Sequence, residues 1–176
     1  MAFFKEELIN VKAFLFDVDG VLSRDTTDLS EDGELMRTAN VKDGFAIRNA
    51  IRNGFDVGII TGGAVERVKL RYQKLGVKHY YDNVSDKLES LQDYLDKTGV
   101  DPENILFMGD DLVDYPVMQK VGITCCPLDA VPEIKSISNY ISDIKGGEGC
   151  VRDVIEQVLK AHDKWMDKET FFHKST

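Results

Sequence analysis

The chain has 176 residues, 43% of them hydrophobic and 30% charged, which is the balance of an ordinary globule with room for one substantial core. A net charge of -9 with no basic run argues against a nucleic-acid partner. It also means that an anionic substrate would be repelled at long range unless a cation sits at the site. Cys125, Cys126 and Cys150 have no CxxC spacing. Their odd count and the adjacent pair point to reduced thiols packed as small apolar residues. Charge breaks up Met1-Ala2-Phe3-Phe4-Lys5-Glu6-Glu7 at once, so neither a secretion signal nor a membrane span is expected, and the cytoplasm is the expected compartment.

In chain order, residues 12–17 read as a first strand, Ala13-Phe14-Leu15-Phe16 running into Asp17. Residues 21–40 are polar and acidic with Gly33 as a turn signal, and read as a flap or hairpin over the end of that strand. Asp43 is placed to cap a helix from Gly44 to about Asn53, with Gly54 as its stop. A strand over 56–60 leads into Thr61-Gly62-Gly63, and a helix from about Ala64 to Lys74 ends at Gly76. A short strand at His79-Tyr80-Tyr81 precedes a helix capped by Ser85 and carrying Leu88, Leu91 and Leu95. Strand 105–108 ends at Gly109-Asp110-Asp111, and a short helix follows near Tyr115–Lys120. Gly122 to Cys126 and Asn139 to Ile141 are further strand candidates. Val151, Val154, Ile155, Val158 and Leu159 show the full helical repeat of a last amphipathic helix. Short apolar runs alternating with helices imply a parallel, Rossmann-like α/β sheet in one domain over 1–176, flanked by helices.

Ligands of such sheets bind at the carboxyl ends of the strands, and the reactive residue types sit there. Asp17 and Asp19 are two residues apart as the first strand frays, so their side chains are expected on one side. Neighbouring carboxylates repel unless a proton or cation is shared, and Mg²⁺ suits an all-oxygen site that keeps waters. Asp110, Asp111 and Asp114 add carboxylates from another strand end. Taken alone, either cluster could be plain turn chemistry; two clusters at adjacent strand ends favour a site. Thr61-Gly62-Gly63 offers a hydroxyl and backbone N–H groups for an anion. Lys87, in the first turn of its helix, opposes the helix dipole, so a phosphate and a carboxylate nearby would explain it. Together these are the parts of phosphoryl transfer.

The order Asp17-Val18-Asp19-Gly20-Val21, Thr61-Gly62, Lys87 and Gly109-Asp110-Asp111 with Asp114 resembles the four motifs of the haloacid dehalogenase-like phosphohydrolases. The resemblance implies Asp17 as nucleophile and Asp19 as acid and base, with Thr61 and Lys87 on the phosphate oxygens. It implies Mg²⁺ on the Asp17 carboxylate, the Asp19 carbonyl and the Asp110 carboxylate, with Asp111 and Asp114 behind them. The intervals between motifs leave no room for a cap domain. Asn40-Val41-Lys42-Asp43-Gly44 with Arg48, Gly146-Gly147-Glu148-Gly149 with Arg152, and Arg71 are similar to capless members acting on 3-deoxy-D-manno-octulosonate 8-phosphate, an intermediate of lipopolysaccharide synthesis. That likeness makes Gly62, Lys42, Asp43, Gly44, Arg48 and Arg71 candidate substrate contacts. It also implies a homotetramer in which a neighbouring subunit completes the site.

The chain departs from that group at Gly63, often arginine there, at Leu22-Ser23-Arg24 and at Val113. A nine-carbon keto-deoxy sugar phosphate therefore stays open as the alternative substrate. A receiver-type phospho-accepting domain uses similar residues but in a different chain order. Trp165, Met166, Phe171 and Phe172 lie among charged residues near the end, where they either touch another subunit or fold back on their own.

Overall fold

A computed structural model of the protein describes residues 4–167. Six strands, β1 (Ala13–Phe16), β2 (Asp56–Ile60), β3 (His79–Tyr81), β4 (Ile105–Met108), β5 (Ile123–Cys126) and β6 (Tyr140–Ile141), form one sheet in the order β3-β2-β1-β4-β5-β6. Every pairing is parallel. The chain moves outward from β1 to β3, then crosses back to lay β4 on the other side of β1. That reversal is the topological switch point at which open α/β sheets bind ligands.

The helices are α1 (Phe4–Glu7), α2 (Val41–Arg52), α3 (Glu66–Gln73), α4 (Lys87–Thr98), α5 (Tyr115–Met118), α6 (Pro132–Ile137) and α7 (Cys150–Ala161). Successive strand side chains point to opposite faces, so both faces of β1 are buried. Phe14 and Phe16 join Ile47 and Ala50 of α2 and Val151, Val154, Ile155 and Val158 of α7 in one core. Ala13 and Leu15 join Leu91 and Tyr94 of α4, Val117 and Met118 of α5 and Ile134 of α6 in the other. Each such fully buried Val, Leu, Ile, Phe or Met side chain contributes about 1.5–3 kcal/mol relative to exposure.

Three helix starts differ from the expectation. Asp43 does not cap α2. Asn40 does, its side chain accepting from Lys42 N–H (2.8 Å) and Asp43 N–H (3.3 Å). Asp43 is buried and instead accepts from Arg152 N–H at 2.7 Å, tying α2 to the start of α7. Likewise Asp86 rather than Ser85 caps α4, accepting from Leu88 N–H at 2.8 Å. In both places several cap-competent residues stand together, and the chain uses one of the others. Helix α3 begins only at Glu66, so the Thr61-Gly62-Gly63 loop does not open directly into a helix N-terminus.

Residues 21–40 make an irregular excursion closed by a bridge between Leu29 and Leu35, in keeping with a flap. Its return limb is pinned where Thr38 N–H donates to Ser23 Oγ at 2.9 Å. The glycine segment at 146–147 packs against the loop leaving β1, with Gly147 N–H donating to Val21 O at 2.8 Å. A Cβ at Gly146 would overlap the Gly20 carbonyl. The three cysteines are free and buried. Trp165 is buried against its own chain, edge-on to Phe45 with ring centroids 6.2 Å apart and with the Arg152 guanidinium 5.1 Å from its ring. Met166 is exposed, and Phe171 and Phe172 lie outside the described residues. Among those residues no helix is long and apolar enough to cross a membrane.

Asn40→Ala removes both α2 cap bonds and the Asn40 Nδ2 donation to Gly147 O (3.3 Å). Urea denaturation should show a loss of about 1–2 kcal/mol, the scale of a lost N-cap. Unchanged stability would contradict this assignment of the cap.

Candidate active site

Parallel pairing sets Phe16 beside Met108, so the residues that follow, Asp17 and Gly109-Asp110, leave the sheet side by side. The Asp17 N–H donates to Met108 O at 3.1 Å. Strand β2, on the other side of β1, delivers Thr61. Lys87 enters from the first turn of α4, and Asp114 from the turn after β4.

These side chains meet. Lys87 Nζ lies 2.9 Å from Asp17 Oδ1 and 2.7 Å from Asp114 Oδ1, and all three side chains are no more than 7% exposed. Asp114 Oδ2 accepts from the N–H groups of Asp110 (3.0 Å) and Asp111 (3.4 Å). Asp17 Oδ1 also accepts from Val18 N–H at 2.7 Å. Burial on its own would lower the pKa of Lys87, but the Asp17 and Asp114 carboxylates outweigh it and the value is raised. The position opposes the helix dipole by at most about 1 kcal/mol, and two charge-assisted contacts offset that.

The acids are left over-supplied with negative charge. Burial, then the Asp114 charge, pushes Asp17 up to about 7. Burial, then Asp114, Asp17 and Asp111, pushes Asp110 up to about 8. Oxygens of Asp17, Asp110 and Asp114 lie within 4.8 Å of one another, and Asp110 Oδ1 is buried with no hydrogen-bond partner among the described residues. Gly20, with φ at +78°, gives the Asp110 carboxylate its space: a Cβ there would sit 2.8 Å from Oδ1 and closer still to Cγ. Clustered carboxylate oxygens with an unpaired buried acceptor fit a hard divalent cation.

The cluster forms one wall of a cavity of about 620 Å³ that also takes in Asp19, Arg37, Thr61, Gly62 and Gly63. Thr61 is buried, and its Oγ1 accepts from Gly63 N–H at 3.1 Å. Asp111 caps the turn Leu112–Asp114 rather than facing Lys87. Of the other residues suggested by the sequence, Lys42 lines a surface groove with Arg24 and Glu148. Gly44, Arg48 and Arg71 line a separate cavity of about 220 Å³. Asp43 is spent on Arg152. None of these lines the larger cavity.

Sequence reasoning missed Arg37. Its Nε and Nη2 donate to Asp19 Oδ1 (2.7 Å) and Oδ2 (2.8 Å). Nothing in the polar flap singled it out, although the glycine at 63, where the similar group often has arginine, was a signal that a cation had to come from elsewhere.

Residues 81–154 match the family model of haloacid dehalogenase-like hydrolases. The 3-deoxy-D-manno-octulosonate 8-phosphate phosphatase KdsC of Escherichia coli K12 is 40% identical over 155 residues, covering 88% of this chain and 82% of that protein. The chain belongs to the haloacid dehalogenase-like hydrolases, and it has the six-stranded capless form. Its fold is similar to the crystal structure of the same phosphatase from Yersinia pestis, with a TM-score of 0.89, 36% identity and coverage of 93% of this chain and 89% of that one. It also resembles the Moraxella catarrhalis phosphatase in complex with magnesium, phosphate and KDO, with a TM-score of 0.86, 29% identity and 92% coverage of both chains.

Because the folded values of Asp17 and Asp110 lie above the ordinary 3.8, these two groups hold more protons in the metal-free folded protein than in the unfolded chain between pH about 4 and 8. Their contribution to stability therefore falls as pH rises through that window. A bound divalent cation takes the place of those protons. The rise in melting temperature on adding millimolar MgCl₂ should be larger at pH about 8 than at pH about 5.5. An equal rise at both would argue against the cation in this cluster.

Proposed function

We propose that the protein is a Mg²⁺-dependent phosphomonoesterase that hydrolyses 3-deoxy-D-manno-octulosonate 8-phosphate to the free sugar acid and phosphate. The observation that carries the reading is Lys87 buried between Asp17 and Asp114 at the joined ends of β1 and β4, with Asp110 beside them. The 40% identity to phosphatases of that name over most of the chain supports the substrate.

In this reading Asp17 is the nucleophile. Its Oδ1 is held by Lys87 and Val18 N–H, which leaves Oδ2 to attack phosphorus. The P–O bond to the sugar breaks, and Asp19 gives the leaving oxygen its proton. Asp19 then takes a proton from water as that water attacks the aspartyl-phosphate, and the bond between phosphorus and Asp17 Oδ2 breaks. Thr61 Oγ1 and Gly62 face the transferred phosphoryl group in the same cavity. Lys87 holds Asp17 in line and spreads its charge to the phosphate oxygens. Asp17, the Asp19 carbonyl and Asp110 would hold Mg²⁺, which would supply the positive charge that lets an anionic nucleophile meet an anionic ester. Asp114 fixes Lys87 and, through the backbone N–H groups of 110 and 111, the Asp110 loop; Asp111 shapes the turn that carries Asp114.

The whole chain works as one capless domain in the cytoplasm, where its three thiols stay reduced. Lys42, Gly44, Arg48 and Arg71 lie outside the catalytic cavity, and their part in substrate binding requires a homotetramer in which a neighbour brings them to its own site. Asp43 acts on substrate only indirectly, by tying α2 to α7.

Phosphate release from a panel of sugar phosphates should favour the eight-carbon keto-deoxy acid over the nine-carbon one, and EDTA should abolish it. Asp17→Asn should lower kcat by about a thousandfold or more, on the scale of losing a covalent nucleophile. Turnover that survives EDTA would remove the metal role, and turnover that survives Asp17→Asn would remove the nucleophile. Light scattering should give four times the monomer mass; a monomer would remove the shared-site reading.

A further inference from the structure

Arg37 reaches the site from the flap. The next residue, Thr38, is anchored to the loop leaving β1: its N–H donates to Ser23 Oγ at 2.9 Å, and its Oγ1 accepts from Arg24 N–H at 3.1 Å. From that anchor the guanidinium grips both oxygens of Asp19 at 2.7 and 2.8 Å, and the Arg37 side chain is only 9% exposed. It lies across Gly63, where a Cβ would sit 2.9 Å from Cζ and closer still to Nη2. A side chain at position 63 would therefore press on the guanidinium and make it shift.

The cavity is lined by six aspartates, at 17, 19, 25, 86, 110 and 111, and by two cations, Lys87 and Arg37. Lys87 gives two of its three donors to Asp17 and Asp114, and its charge is taken up there. Arg37 is the remaining cation lining this cavity, and its partner Asp19 is 40% exposed. A guanidinium across both oxygens competes with a leaving oxygen for the same edge of the Asp19 carboxyl group. Opening the pair clears that edge for proton transfer. Exchanging one bidentate carboxylate for another is cheap for arginine, whereas opening the pair with nothing in exchange loses two charge-assisted hydrogen bonds.

We propose that Arg37 is a specificity-determining residue, drawn off Asp19 by a carboxylate on the leaving group, so that the acid and base is released when a sugar acid phosphate is bound and stays clamped under a neutral sugar phosphate. This deepens the phosphatase reading and rests on it. Gly63 is the seat that admits the clamp.

The test measures kcat and KM for wild type, Arg37→Ala, Arg37→Lys and Gly63→Ala on two esters, 3-deoxy-D-manno-octulosonate 8-phosphate and the carboxylate-free arabinose 5-phosphate. Wild type should prefer the sugar acid by about a hundredfold or more in kcat/KM, the scale of two charge-assisted hydrogen bonds. In Arg37→Ala that preference should fall by about tenfold or more, with KM rising on the sugar acid and kcat rising on the neutral ester. Gly63→Ala keeps the charge but pushes the guanidinium off its seat, so it should move the ratio the same way by a smaller factor. Arg37→Lys should keep part of the preference. An equal loss on both esters, as expected if Arg37 merely supports Asp19 or the flap, would overturn the proposal, and so would an unchanged ratio in both Arg37→Ala and Gly63→Ala. Wild type that cleaves arabinose 5-phosphate but not the sugar acid would instead overturn the substrate reading, and this inference with it.

Discussion

A lysine ammonium held between two buried carboxylates organises this molecule. Lys87, Asp17 and Asp114 are each at most 7% exposed, and charges that far from water persist only when paired and hydrogen-bonded. The pairing is not neutral. Asp17, Asp110 and Asp114 give three carboxylates against one ammonium, which leaves two negative charges when all are ionised. That excess equals the charge of one divalent cation. It is also why burial and mutual repulsion hold Asp17 and Asp110 far above the ordinary carboxylate range. The chain has assembled a site that is strained electrostatically until positive charge arrives, and that suits a step in which a phosphoryl group must be met by an anion.

The topology explains why so few residues suffice. Because β4 returns to the side of β1 opposite β2, three consecutive sheet positions deliver Thr61, Asp17 and Asp110 at one edge. The backbone must then pack very closely there. Gly20 leaves room for the Asp110 carboxylate, Gly109 for the Asp114 side chain and Gly146 for the Gly20 carbonyl. A methyl group at any of these would collide with the next layer of the site, so the glycines near the aspartates are part of the same construction. The apolar strands supply rigidity from below, being buried on both faces.

That same burial is why the strands could be read directly. Ala13–Phe16, Asp56–Ile60 and Ile105–Met108 are short apolar runs ended by turn residues, a pattern that needs no tertiary information. The charged motif residues at their ends were legible for the same reason. What could not be read was anything decided by a distant partner. Asp43 looks like a cap from its neighbours, but its acceptor oxygen goes to Arg152, 109 residues away in sequence. Ser85 and Asp86 are both competent caps, and only the packed path of the chain selects Asp86. Arg37 lies in a polar stretch without periodicity, and its role depends on two residues, Asp19 and Gly63, that the folded flap brings to it. Arg48 and Arg71 were each suggested by likeness to the capless group, but that they line one cavity together depends on where the fold sets α2 and α3.

A capless hydrolase with a net charge of -9 and an aspartate-lined cavity must solve attraction and selectivity without a second domain. Lys87 and a divalent cation on the carboxylate cluster would answer the first need at the reacting phosphorus, but they read only phosphate, which every phosphomonoester carries. Discrimination has to come from the rest of the substrate, and therefore from the rim. The flap is the rim element that carries a cation into the cavity, and it does so by sending Arg37 to Asp19 rather than to bulk solvent. In the proposed reading, a selective contact on Asp19 would couple recognition to proton transfer through a single ion pair. A surface excursion of about twenty residues is enough to bring that cation to the site.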